Sequence, residues 1–302
     1  MIIKPHALKK GDLIGIVSPS NTVLLENLNY ATRTLKRFGF RVKYKEHILT
    51  PRVYTIEEDK LRAEDINELF RDPQVKAVIH AKGGYGMIRI LPFLDKNTIR
   101  SNPKVVLGYS DATVFLSYLL FQCNMVAFHG PMLLGEINTA MSAIKKNSFL
   151  NALMVNKPLG VLTHKKISVI KHGKCSGKLV GGCLTSIVHM MGTPYEINTK
   201  DTILFIEDVG EYYHHFDEML YHLKLAGKYD SVKGIVFGEM LRCGTHRGLV
   251  ERIKETFKEY DIPILFGFPS GHSKTNLTIP LGINVSIDTK IPGIVFNEKA
   301  LQ

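Results

Sequence analysis

Short apolar runs alternate with amphipathic, helix-length segments through the first half of this chain, and no other feature narrows the fold as far. Asp12 to Val17 (DLIGIV), Arg41 to Lys45, Val75 to Ala81, Val105-Val106-Leu107 and Met125 to Phe128 have the length and composition of strands. Between the first two, Leu28, Ala31, Leu35 and Phe38 recur at helical spacing and Gly39 closes the helix. Thr55-Ile56-Glu57-Glu58 then forms a capping box, with Thr55 as N-cap, for a helix whose inner face carries Ile66, Leu69 and Phe70. Helical segments near Ile88 to Leu94 and from Thr113 to Gln122 complete the alternation. Strands and helices at this spacing predict a parallel, doubly wound α/β sheet. In such sheets, sites form beyond the carboxyl ends of the strands.

The pattern weakens at Asn156 to Lys178 (NKPLGVLTHKKISVIKHGKCSGK), which is polar, basic and glycine-bearing. That stretch reads as a crossing between an N-terminal domain, residues 1–160, and a C-terminal domain, residues 176–302. Beyond it, Ile203 to Ile206, Gly234 to Phe237, Ile264 to Phe268 and Gly293 to Phe296 read as strands. Phe216, Met219, Leu220 and Leu223 mark a helix stopped by Gly227, and another spans Leu249 to Tyr260.

Composition removes several function classes. The 302 residues, 45% apolar, suit one large or two medium globular domains. The first twenty residues lack a secretory h-region, and no run approaches the ~20 apolar residues of a membrane span, so a cytoplasmic protein with no membrane partner is expected. Cys123, Cys175, Cys183 and Cys243 lie far apart, which suggests free thiols rather than a zinc knuckle or redox pair. The net charge of +11 is scattered, without a nucleic-acid-reading motif, so nucleic acid is discounted; a small anionic substrate fits the same charge equally well. Neither G-x-G-x-x-G nor G-x-x-x-x-G-K-[ST] is present, so no nucleotide cofactor is indicated.

Four unusual clusters follow predicted strands: Gly83-Gly84-Tyr85-Gly86, Ser110-Asp111, Glu207-Asp208 and Gly271-His272-Ser273. Gly108-Tyr109-Ser110-Asp111-Ala112 has the small flanks that a sharp strand-to-helix nucleophile turn requires. Serine, histidine and a carboxylate are the ingredients of acyl transfer, and two backbone N–H groups must then meet the oxyanion. Gly84 and the residue after the serine, Asp111, are the natural donors. Each signal has a plainer reading: Ser110 and Asp111 as helix caps, Gly83-Gly84 as a tight turn, His272 as a loop residue. A rival cluster, Glu211, His214, His215, Asp217, Glu218 and His222, contains i,i+4 pairs that could hold a divalent metal, or else forms a solvated helix face.

Lys82-Gly83-Gly84-Tyr85-Gly86 with Arg89 and Leu91-Pro92, Gly108-Tyr109-Ser110-Asp111, Phe128-His129-Gly130-Pro131-Met132, Leu204 to Glu211 (LFIEDVGE), and Gly271-His272 with Asn276 and Pro280-Leu281-Gly282 resemble the LD-carboxypeptidase family of serine peptidases. The resemblance runs in order from Leu8-Lys9-Lys10-Gly11-Asp12 nearly to the C-terminus. It implies a flavodoxin-like N-terminal domain, a mixed α/β C-terminal domain and an active site between them, in a cytoplasmic homodimer without metal or cofactor. It implies hydrolysis of the L,D-amide before the terminal D-alanine of murein tetrapeptide, in cell-wall recycling. The family's serine, glutamate and histidine fall on Ser110, Glu207 and His272, and its oxyanion donors on Gly84 and Asp111. A sister branch cleaves amides of peptide-nucleotide antibiotics, whereas the short Gly83–Gly86 loop and the Phe128–Pro131 stretch are more similar to the murein branch. Arg89, Lys82, Lys274 or helix-end N–H groups could meet the free substrate carboxylate, and the sequence does not choose among them. Gly181-Gly182-Cys183 departs from the family's frequent asparagine after the double glycine, which puts substrate preference in question there.

Overall fold

The computed structural model describes residues 1–138 and 140–302. Its strands are β1 (Leu13–Val17), β2 (Arg41–Tyr44), β3 (Val75–His80), β4 (Val105–Gly108), β5 (Ala127–His129), β6 (Gly160–Thr163), β7 (Ser168–Lys171), β8 (Lys174–Cys183), β9 (Thr202–Val209), β10 (Gly234–Leu241), β11 (Ile264–Phe266), β12 (Ile279–Leu281), β13 (Asn284–Asp288) and β14 (Gly293–Phe296). The first five pair in parallel in the order β2-β1-β3-β4-β5, the flavodoxin-like order that the family resemblance implied. Every residue of β1 and β4 is buried, as befits strands covered by helices on both faces.

The second sheet runs β6-β14-β13-β8-β9-β10-β11-β7. Its centre, β8 to β11, is parallel, and β13, β14, β6 and β7 add antiparallel flanks. Two expectations change here. The stretch 156–178 is not a polar crossing but holds β6, β7 and the outer half of β8. It reads as irregular because β6 and the outer half of β8 alternate between half-buried and exposed positions, and β7 is half-buried throughout. The second change is β12, which leaves the second sheet's half of the chain to pair antiparallel with β5. Pro280 is compatible with that place because β12 is an edge strand, where one side needs no N–H.

One apolar core runs from the first sheet into the inner face of the second, joining Val105, Leu107 and Phe128 to Phe205, Val236 and Phe268. A smaller core fills the outer face of the second sheet beneath the helices Tyr213–Leu225 and His246–Thr256. Among the described residues, no helix is long and apolar enough to cross a membrane.

The Thr55 cap forms, with Thr55 Oγ1 accepting from the Glu58 N–H at 3.2 Å. Glu58, however, reaches past Thr55 and accepts from the N–H groups of Val53 and Tyr54, at 2.8 and 2.7 Å. Its other oxygen meets Arg62 Nε at 2.7 Å, and Arg62 donates to the Ser18 carbonyl beyond β1 at 2.6 Å. Asp59, 2% exposed, lies between Arg52 and Arg89, each at 2.7 Å. This buried charge cluster ties the helix Ile56–Arg71 to the loops that follow β1 and β3. Asp59→Ala leaves Arg52 with Glu58 alone, at 2.9 Å, and takes from Arg89 its carboxylate partner, and a cost of about 3 kcal/mol follows from removing one member of a buried charge cluster. Urea denaturation of the full chain should show the midpoint falling accordingly.

Candidate active site

The sharp turn between β4 and the helix Ala112–Phe121 presents Ser110. Its φ of 59° lies in the left-handed region, a strained setting for a residue with a side chain. The small flanks are needed sterically: a Cβ on Gly108 would come within 2.7 Å of the Ala112 Cβ and 2.9 Å of His80 Nδ1. Neither Ser110 nor Asp111 caps the helix with its side chain, so the plainer reading of this pair fails. Asp111 instead accepts from the Met87 N–H at 2.9 Å, which fixes the double-glycine loop over the serine. Burial raises the Asp111 pKa, and bonds from Ser20 and Met87 pull partly against it.

Gly83 lies directly on the serine, for a Cβ there would sit 3.0 Å from Ser110 Oγ. Gly84 follows with φ 143°, a conformation that side chains avoid. Among the described residues, the N–H groups of Gly84 and Asp111 donate to no protein acceptor. Two free donors therefore flank the hydroxyl.

Glu207 stands in β9, fully buried, and Oε2 accepts from both His272 Nδ1 (2.8 Å) and the His272 N–H (3.0 Å). Close backbone approach makes this possible. A Cβ on Gly271, whose φ is 99°, would overlap the Glu207 carboxylate, and one on Gly238 would reach Glu207 Cβ at 2.8 Å. Burial pushes the Glu207 pKa up, but the imidazoles of His129 and His272 outweigh it and hold the carboxyl at about 2. Desolvation lowers the His272 pKa, the Glu207 bond and charge raise it, and the net shift is upward. Tyr109, adjacent to Ser110, packs its ring edge-on to His272 at 4.7 Å. The serine turn and the imidazole thus share one wall, although among the described residues no hydrogen bond joins Ser110 Oγ to His272.

A cleft of about 910 Å³ opens beside them, lined by Tyr109, Glu136, Lys145, Arg242, His272 and Lys274 among others. Of the proposed carboxylate partners only Lys274 lines it. Arg89 is engaged with Asp59 and the Tyr54 carbonyl, and Lys82 is not part of the lining. Arg242 was missed from sequence. It leaves β10 in a left-handed turn at φ 59°, and nothing in its Arg-Cys-Gly surroundings signals a site. Asp208, the neighbour of Glu207, is engaged elsewhere, accepting from Thr185 N–H and Oγ1, both at 2.8 Å. Cys183 is buried beside it, Sγ 3.7 Å from Asp208 Oδ1, and burial pushes its thiol well up.

The rival cluster disperses. His214 stacks on Tyr212, Asp217 pairs with Arg252 at 3.2 Å, and Glu211, His215, Glu218 and His222 line a separate cavity of about 360 Å³. Among the described residues, no three His, Cys, Asp or Glu side chains are grouped to hold a metal ion.

Comparison with known proteins bears on the family and the fold. Residues 14–130 match a family model described as the LD-carboxypeptidase N-terminal domain, and residues 176–287 one described as the LD-carboxypeptidase C-terminal domain. The chain is 33% identical to a probable murein peptide carboxypeptidase of Bacillus subtilis (strain 168), over 95% of this chain and 92% of that protein. It is 29% identical to the microcin C7 self-immunity protein MccF of Escherichia coli, over 100% and 99%. The solved structure of MccF with glutamyl sulfamoyl guanosine superposes with TM-score 0.91 at 26% identity, covering 99% of this chain and all of that one. A muramoyltetrapeptide carboxypeptidase from Oxalobacter formigenes gives TM-score 0.82 at 27% identity, over 95% and 99%. The fold is therefore that of MccF: a parallel-dominated first sheet and a mixed second one.

The Glu207–His272 pair links stability to pH from both sides. A depressed carboxyl stabilises above its ordinary value of 4.5 and loses that contribution as pH falls towards about 2. A raised imidazole stabilises below its ordinary 6.5 and loses that contribution as pH climbs through the raised value. The pair therefore contributes most between pH 4.5 and 6.5. Urea midpoints measured against pH for wild type and Glu207→Gln should differ most in that window, differ less as pH climbs through the raised His272 value, and converge only as pH falls towards about 2.

Proposed function

The chain belongs to the LD-carboxypeptidase family, and from that premise we propose that it is a serine peptidase acting on an L,D-amide, with Ser110 as nucleophile, His272 as general base and Glu207 as its orienting carboxylate. One observation carries the reading. The 2.8 Å bond from His272 Nδ1 to Glu207 fixes the tautomer, so Nδ1 holds the hydrogen and the Nε2 lone pair is left to take a proton. In the proposed reaction, Ser110 Oγ attacks the substrate carbonyl carbon while Nε2 removes the hydroxyl proton. The N–H groups of Gly84 and Asp111 receive the oxyanion. Collapse breaks the C–N bond, Nε2 protonates the departing amine of D-alanine, and water then hydrolyses the acyl-serine by the same route. The reading requires substrate binding to bring Ser110 Oγ within hydrogen-bond reach of His272 Nε2, as catalytic bonds of this kind are often long before substrate enters.

The substrate we propose is the murein tetrapeptide, met in the cytoplasm by a homodimer. It is supported by the likeness to the B. subtilis protein and by the cleft cations Arg242 and Lys274, which suit a free terminal carboxylate. The strong superposition on MccF favours a second reading, in which the scissile amide belongs to an aminoacyl nucleotide analogue. A panel of L,D-tetrapeptides and aminoacyl sulfamoyl nucleosides, followed by product mass, separates the two. A protein that only binds leaves every substrate intact.

Ser110→Ala should keep the wild-type circular dichroism spectrum and lose D-alanine release by about 10³-fold or more. Near-normal release by that variant refutes the nucleophile assignment. Chelator should leave wild-type activity unchanged, whereas a metal hydrolase built on His214, Glu218 and His222 would lose it.

A further inference from the structure

With no hydrogen bond between Ser110 Oγ and His272 among the described residues, their separation is set by what holds the His272 loop. That loop is closed at its base, where Ser270 Oγ donates to the Leu277 carbonyl at 2.7 Å and the Leu277 N–H to the Pro269 carbonyl at 2.8 Å. Asn276, fully buried, spans it from within: its N–H donates to Ser273 Oγ at 2.7 Å, and Oδ1 accepts from the Gly271 N–H at 3.0 Å. Asn276 Nδ2 then leaves the loop and donates to Glu136 Oε1 at 2.8 Å. Glu136 ends the turn Leu133–Glu136 that follows β5. The loop is therefore held from the second sheet by Glu207 and from the first by Glu136.

Glu136 is itself fixed. Lys145 Nζ reaches Oε1 at 3.2 Å, and the Met132 N–H donates to Oε2 at 3.2 Å. The Tyr109 hydroxyl faces the same carboxylate; burial first, and that charge second, push the phenol's pKa up, so it keeps its proton. Tyr109 precedes Ser110 and sets its ring edge-on to His272 at 4.7 Å. One carboxylate thus meets both the residue before the nucleophile and the loop that carries the base. From this geometry we infer that Glu136 is a positioning residue, which docks the His272 loop against the serine turn and so sets how closely Nε2 can approach Ser110 Oγ.

Two other roles for Glu136 fit less well. A surface ion pair with Lys145 would leave both side chains in water, whereas they are 16% and 9% exposed, and would not involve the buried Asn276 amide. A direct contact with substrate is unfavourable, because Glu136 lines the cleft as an anion and would repel a free terminal carboxylate. Docking explains the arrangement. Among the described residues Glu136 is the only acceptor for Asn276 Nδ2, so its loss leaves a buried donor unpaired, and moving the loop is the way to relieve that cost. Misplacement of a reacting group by about 1 Å can lower a rate by about 10²-fold.

The docking stands on geometry, whereas its catalytic consequence rests on the serine-peptidase reading, and two variants of the full chain keep these apart. Glu136→Gln keeps the reach of the side chain and an oxygen for Asn276 Nδ2 but loses the charge; Glu136→Asp keeps the charge but loses the reach. In crystal structures, residues 271–276 should stay in place in Glu136→Gln and move off Tyr109 in Glu136→Asp, with the His272–Glu207 bond kept in both. A loop unmoved in Glu136→Asp overturns the inference. At each variant's own pH optimum, kcat for D-alanine release should fall by about 10²-fold in Glu136→Asp, with KM little changed. Glu136→Gln should stay within about 5-fold of wild type. A raised KM with kcat unchanged means that Glu136 binds substrate, and a larger loss in Glu136→Gln than in Glu136→Asp means that its charge matters rather than its reach; either result defeats the inference. Wild-type kcat in a destabilised Glu136→Asp means a merely structural residue and defeats the catalytic part. Absence of release by the wild type defeats the serine-peptidase reading and leaves the crystal structures to decide the docking alone.

Discussion

The site depends on one buried carboxylate. Glu207 holds His272 by two bonds to a single oxygen, from the ring and from the backbone N–H, so the imidazole is fixed in both tautomer and direction. Such an anion is tolerated without solvent only because donors surround it. The neighbouring backbone is shaped to the same end. Gly271 and Gly238 stand where any Cβ would strike Glu207, so the loop bearing His272 can lie flat over the end of β9.

That constraint explains the unusual return of the chain. The His272 loop leaves the second sheet at β11 and enters the first at β12, which pairs with β5 through Ile279 and His129. Asn276 braces the loop from within, accepting from the Gly271 N–H at 3.0 Å and donating to Glu136 at 2.8 Å. One short segment is thus anchored on both sheets. The histidine it carries is held against a carboxylate from the second sheet and an aromatic, Tyr109, from the first. The single core that spans both sheets gives this arrangement a rigid base.

Much of this was legible in the chain, and the limits have physical causes. Strands buried on both faces read as continuous apolar runs, so β1, β3, β4 and β9 and the clusters at their ends stood out. Ser110 and His272 drew attention because they follow apolar runs, and Glu207 because the apolar run of β9 turns acidic there. β6, β7 and the outer half of β8 were lost because half-covered strands dilute the apolar signal with lysines. β12 was hidden by its three-residue length and by Pro280. His129 was noticed only as part of a familiar stretch, since burial against Glu207 is a tertiary fact that no local pattern encodes. Arg89 pointed the wrong way for a related reason: its Asp59 partner lies thirty residues earlier in the sequence.

Net charge proves a poor guide to the cleft. The +11 of the whole chain suggested an anionic substrate, yet two of the cleft's cations are locally cancelled, Lys145 by Glu136 at 3.2 Å and Lys166 by Glu239 at 3.3 Å. Charges paired at that range present little field to a ligand, and scattered surface lysines are screened within about 10 Å at ordinary ionic strength. What remains to greet a carboxylate is Arg242, turned into place by a left-handed residue at the end of β10, and the exposed Lys274, two residues past His272. Both lie beside the imidazole rather than beside the glycine loop. Under the proposed peptidase reading, a terminal carboxylate held by Arg242 and Lys274 would draw the free end of the substrate to the His272 side of the cleft.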